Sequence, residues 1–107
     1  MRTKALALVF CFVLLQAEPA LAVQRRCLGR HVTKHGTPAG DLLIGTEGSD
    51  VIKAGRGEDV IFGGGGQDFL CGNRGDDHIF GEFGSDTADG GRGDDTCDAE
   101  DERNCEG

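Results

Sequence analysis

The stretch from Gly45 to Asp98 divides without a gap into six nine-residue units: GTEGSDVIK, AGRGEDVIF, GGGGQDFLC, GNRGDDHIF, GEFGSDTAD and GGRGDDTCD. Two columns are unbroken. The fourth holds Gly48, Gly57, Gly66, Gly75, Gly84 and Gly93, and the sixth holds Asp50, Asp59, Asp68, Asp77, Asp86 and Asp95. Chance would fill the acidic column on the order of once in 10^6 registers, so the units are a true internal repeat. The eighth column (Ile52, Ile61, Leu70, Ile79, Ala88, Cys97) is apolar throughout. A weaker unit, GTPAGDLLI, precedes the six; it keeps Asp41 and Leu43 but carries Ala39 where glycine belongs.

Within each unit the first six residues have turn chemistry. Glycine permits positive φ and close backbone approach, and aspartate tolerates a turn while offering a carboxylate over it. The last three, as in Val51-Ile52-Lys53, have the mixed, apolar, mixed pattern of a very short strand. One turn and one strand make half a coil, so 18 residues make a full coil with strands on two opposite walls. Successive coils would stack at about 4.8 Å, and six units predict about three coils. An 18-residue subperiod agrees with this geometry: Arg56, Arg74 and Arg92 recur at the third position of alternate units, Glu58, Asp76 and Asp94 at the fifth, and Phe62 and Phe80 at the ninth.

The pattern resembles G-G-x-G-x-D-x-U-x, the calcium-binding nonapeptide of RTX (haemolysin-type) proteins. The resemblance covers all six units and implies an all-β fold: a right-handed parallel β-roll, a β-helix-like solenoid with calcium between its turns. The chain is similar to small secreted proteins of that type with cysteine-bearing ends, which here implies disulfide-bearing end caps.

The residues favour the same cation independently. In such a stack Asp50, Asp68 and Asp86 share one edge and Asp59, Asp77 and Asp95 the other, and each adjacent pair of ionised carboxylates repels by roughly 1 to 3.5 kcal/mol. A hard divalent cation turns that repulsion into attraction, and glycine-rich turns leave carbonyl oxygens to complete its shell. Calcium accepts such an irregular oxygen shell better than magnesium, and zinc prefers nitrogen or sulfur. The expected ligands are therefore the six column aspartates with Asp41, carried on the turn glycines of the fourth column, and the expected cofactor is Ca2+. The four large inward residues, Ile52, Ile61, Leu70 and Ile79, form a slender core, and metal and disulfides are the available staples.

Residues 1–22 read as a secretory signal peptide: Arg2 and Lys4, an apolar run from Ala5 to Leu15, and Ala20-Leu21-Ala22 as the cleavage site. A secreted, extracellular protein is expected, with four cysteines after the signal. Cys27, Cys71, Cys97 and Cys105 allow three connectivities. The simplest joins Cys97 to Cys105, eight residues on, and Cys27 to Cys71; the others remain open.

Residues 23–35 form a basic amino-terminal cap, 36–98 the roll, and 99–107 an acidic carboxy-terminal cap. Lys34 falls in the inward column if the frame is extended backwards, so the repeat is expected to stop near Gly36. From Gly36 onward 18 acidic residues face five basic ones, a net charge of −13. That field has the wrong sign for nucleic acid or anionic membrane, and a monomer with no assignable protein partner is expected. The chain has no H-E-x-x-H and no G-x-S-x-G, so no enzyme is expected. His31 and His35 read as exposed cap residues. Arg74-Gly75-Asp76 and Arg92-Gly93-Asp94 spell RGD, an adhesion sequence, but unit two reads Arg56-Gly57-Glu58, so the spelling follows from the repeat. A non-catalytic remnant of an RTX exoenzyme is the other alternative.

Overall fold

A computed structural model of the chain describes residues 26–105. The expected signal peptide, the first residues of the amino-terminal cap and the last two residues of the chain lie outside the described residues.

The described chain contains no helix; eleven short strands follow one another. The odd half-coils supply a five-stranded parallel sheet made of β3 (Lys34–His35), β5 (Val51–Gly55), β7 (Phe69–Asn73), β9 (Thr87–Asp89) and β11 (Asp101–Arg103). The even half-coils supply a four-stranded parallel sheet made of β4 (Leu42–Ile44), β6 (Val60–Phe62), β8 (His78–Phe80) and β10 (Thr96–Asp98). Registers such as Ile52↔Leu70 and Ile61↔Ile79 set every step within the repeat at 18 residues. The result is a parallel β-roll.

The eighth column is the core. Ile52, Ile61, Leu70, Ile79 and Ala88 are fully buried, Leu43 extends the stack below them, and Cys97 and Ala99 close it above. Strands of three residues suffice because only their middle residue points inward. On the outer face of the even wall Phe62 and Phe80 stack with ring centroids 5.1 Å apart, as their shared ninth position requires.

The roll is longer than the six units alone predict, with about four coils. At the start, GTPAGDLLI forms a full half-coil ending in β4, and β3 pairs with β5 in the register Lys34↔Ile52. Lys34 thus stands in the inward column after all. The expectation that it could not assumed a dry interior, but among the described residues no further coil covers this one. Lys34 is exposed, and its ammonium donates to the Ile44 carbonyl at 2.7 Å. At the other end the repeat continues past Asp98 through β11, which pairs with β9.

Both disulfides take the simplest connectivity. Cys97 joins Cys105, and Cys27 joins Cys71. β1 (Arg26–Cys27) and β2 (Arg30–His31) form a small antiparallel hairpin held on the outside of the odd wall. Buried Cys27 anchors it, and the Arg30 guanidinium lies 4.0 Å from the centre of the Phe69 ring. A cation over an aromatic face adds about 0.5–1 kcal/mol to that attachment when exposed.

Candidate metal centre

Two kinds of turn lead into the aspartates. In units two to six, the second position (Gly55, Gly64, Asn73, Glu82, Gly91) has φ between 69° and 102°, and the fourth (Gly57, Gly66, Gly75, Gly84, Gly93) has φ between 82° and 127°. Gly75 shows why the fourth column is invariant: besides its φ of 111°, an added Cβ would overlap the Gly57 carbonyl of the coil below. The two earliest units instead carry threonine at the second position. The Thr37 and Thr46 hydroxyls accept the amides of Ala39 and Gly48, both at 3.2 Å. These turns have no left-handed residue at the fourth position, which is why Ala39 is tolerated there.

The aspartates form two ladders. Each main-chain amide donates to the carboxylate 18 residues on: Asp41 to Asp59 Oδ1, Asp50 to Asp68 Oδ1, Asp59 to Asp77 Oδ1, Asp68 to Asp86 Oδ1 and Asp77 to Asp95 Oδ1, all at 2.8–2.9 Å. In the five accepting aspartates one carboxylate oxygen is thereby used; Asp41 and Asp50 accept no such amide among the described residues, and their Oδ1 lies 2.9 and 3.2 Å from the hydroxyls of Thr37 and Thr46. The second differs along the ladder. Asp41 Oδ2 and Asp50 Oδ2 accept the amide and hydroxyl of Thr37 and Thr46, whereas Oδ2 of Asp59, Asp68, Asp77, Asp86 and Asp95 is buried with no hydrogen-bond partner. A buried polar group without a partner costs roughly 1–3 kcal/mol, more when charged.

Those orphaned oxygens do not face apolar wall. A Cβ built on Gly63 would stand 2.6 Å from Asp68 Oδ2 and 2.8 Å from the Gly81 carbonyl oxygen of the next coil. The first positions at Gly36, Gly45, Gly63, Gly72 and Gly90 thus leave space beside two oxygens because they have no side chain, whereas Gly81 lies beside Asp86 Oδ2 with no carbonyl oxygen of a further coil as near. Unit two alone carries a side chain at this position, Ala54. Among the described residues no three His, Cys, Asp or Glu side chains converge on one point. An ion at these positions would therefore depend on carbonyl oxygens as well as on aspartates.

The acidic column also has a further member. β11 is in register Asp101↔Thr87 and Glu102↔Ala88, which places it at the seventh to ninth positions, so Glu100 occupies the sixth. It accepts the Asp86 amide through Oε2 at 2.8 Å, as the ladder aspartates do for theirs.

The family model of the RTX calcium-binding nonapeptide repeat, in four copies, matches residues 35–70 and 72–103, more than half of the chain. The chain belongs to this family. Searches of curated proteins and of solved structures returned no match. Family membership implies calcium binding by these RTX repeats. The residues present fit that ion: an all-oxygen donor set, paired hard carboxylates and cradles that a side chain would fill.

Burial and charge make the metal-free RTX ladder costly. Asp77 is pushed up to about 7 and Asp68 to about 6, chiefly because burial disfavours the charged form. The amide bonds they accept offset this in part, and the carboxylates one coil away add to it. Asp59, Asp86 and Asp95 are raised for the same leading reason. Since the folded metal-free chain binds these protons more tightly than the unfolded chain, their contribution to stability is full below about pH 4. It falls as pH rises through 6 to 7. In chelator, circular dichroism is thus expected to show more β-structure at pH 4 than at pH 8; an unchanged or opposite response would mean that the ladder is not the source of instability.

Of the sequence-derived site residues, the structure brings Asp41, Asp59, Asp77 and Asp95 together on one edge and Asp50, Asp68 and Asp86 on the other. The fourth-column glycines carry the turns, except that Gly48 belongs to the threonine type. His31 and His35 are exposed. Arg56, Arg74 and Arg92 line an open groove of about 430 Å³ with Gly55, Asn73 and Gly91. Sequence reading missed Thr37 and Thr46, although threonine at the second position of the two earliest units was a visible signal. It also missed Glu100, hidden because the last unit lacks its first four residues.

Proposed function

We propose that the protein is an exported, non-enzymatic calcium-binding module in which aspartates 18 residues apart bracket the ions, and that binding and folding are one event. The observation that carries this reading is the set of five buried aspartate oxygens without partners. Each is a formal half-charge in a slender core, and a divalent cation is the partner that their oxygen-only surroundings suit. The bound ion would supply charge neutralisation and cross-linking between coils. Asp59, Asp68, Asp77, Asp86 and Asp95 would hold it with turn carbonyls, while Asp41 and Asp50, already satisfied on both oxygens, would contribute less.

Export is supported by two disulfides in a chain of 107 residues and by the signal-like sequence at residues 1–22. The adhesion alternative is disfavoured by one contact. Asp76 Oδ1, the carboxylate of the earlier RGD sequence, accepts the Asp94 amide at 2.8 Å and is tied to the roll's own backbone.

The test is a titration followed by circular dichroism with the disulfides intact. Calcium is expected to act at the 10^-4 to 10^-3 M typical of extracellular modules, and a tenfold excess of magnesium is expected not to replace it. Equal responses to the two ions would contradict a site built from irregular carbonyl-rich turns.

A further inference from the structure

The odd acidic ladder has no aspartate after Asp86, because the unit that should supply one is truncated. The residue 18 positions on is Asn104, which points elsewhere: its side-chain amide donates to Asp89 at 2.9 Å. The chain instead loses the first four residues of the unit and re-enters the frame at Ala99 and Glu100. The backbone bonds confirm the register. The Asp101 amide donates to the Asp86 carbonyl at 3.1 Å, as the Thr87 amide does to Asp68 at 2.9 Å.

Three further facts converge on Glu100. Its Oε2 accepts the Asp86 amide at 2.8 Å. Asp86 itself is only 1% exposed, and its Oδ2 has no partner; an added Cβ on Gly81 would stand 2.6 Å from that oxygen, so the first-position space is kept here too. The Cys97–Cys105 disulfide closes the short segment carrying Glu100 and, with the pairing of β11 to β9, holds its carboxylate at the end of the roll. Glutamate's extra methylene adds reach where the turn has been shortened.

We propose that Glu100 is the terminal cation ligand of this ladder, sharing an ion with Asp86 at the carboxy-terminal end of the roll. The inference rests on the calcium reading above and adds one site to those bracketed by aspartates alone. The truncated unit cannot offer carbonyls from its missing turn, so this site keeps more water and fills last.

Calorimetric titration of the full chain with calcium, disulfides intact, tests this through Glu100→Gln, with Glu102→Gln as control. Glutamine keeps the acceptor for the Asp86 amide and removes the charge, so a purely structural cap would survive the change. The expected result is loss of one calcium equivalent, the weakest, in Glu100→Gln and none in Glu102→Gln. Unchanged stoichiometry in Glu100→Gln overturns the proposal while leaving the calcium reading intact, whereas a wild-type chain that takes up no calcium overturns the reading itself. Should Glu100→Gln fail to fold, hydrogen exchange at the Asp86 amide of the wild type decides. Protection gained with the last equivalent supports the site, and protection complete before it overturns the site.

Discussion

Asp77→Asn is expected to stabilise the metal-free chain and to destabilise the calcium-loaded one. Asparagine retains the Oδ1 acceptor that holds the Asp59 amide at 2.9 Å, and it replaces a buried, partnerless oxygen with a neutral NH2. In chelator at pH 8 the variant therefore escapes repulsion from Asp59 and Asp95, a gain of about 1–3 kcal/mol. In calcium it loses a charge shared by two ladder pairs, Asp59/Asp77 and Asp77/Asp95. Each site filled at ten times its dissociation constant adds about 1.4 kcal/mol, so the loss is about 3 kcal/mol. Asp68→Asn should behave alike. Asp95→Asn is expected to lose about half as much, since the described residues give it one ladder partner, and Asp50→Asn least, because Thr46 already satisfies its Oδ2. Denaturant unfolding of the four variants in calcium, and their circular dichroism β-signal in chelator, measure this. An Asp77→Asn chain weakened equally in both conditions would assign the aspartate a packing role only.

Much of this arrangement is legible in the amino-acid sequence. A strict period places equivalent residues on equivalent walls, so the glycine, aspartate and apolar columns each mark one layer of the roll. The frame places Cys97 at the end of the roll and Cys71 on its outer wall, which makes the observed pairing the simplest of three without excluding the other two. What is not legible lies where the period is broken or decorated. The four-residue deletion before Glu100 shifts the frame, and a column count that stops at Asp98 does not see the carboxylate beyond it. Lys34 looks impossible in an inward column, but burial there depends on a further coil that the described residues do not supply. The threonine turns at Thr37 and Thr46 involve hydrogen bonds between side chain and backbone, and periodicity carries no information about such bonds.

The largest effect expected is that of the metal itself. The core consists of four large side chains and two alanines inside the coils with Leu43 below, and the two ladders at its edges carry buried carboxylates. Removing calcium should leave each ladder repelling itself above pH 7, where Asp68 in one and Asp77 in the other are both ionised. The disulfides resist this only locally, because Cys97–Cys105 spans 8 residues at one end and Cys27–Cys71 ties the hairpin to the outer wall. Among the described residues the even wall has no such tie to the odd one along β4, β6 and β8. Loss of the β-signal across the repeat is therefore the expected consequence, reversible when calcium returns.

The most direct measurement is the β-sheet circular dichroism signal of the disulfide-intact chain at pH 8, recorded in chelator and then in rising calcium. Folding coupled to calcium binding predicts a largely unfolded spectrum in chelator and a cooperative gain of β-structure by millimolar calcium. An equally folded spectrum in chelator and in millimolar calcium would contradict it.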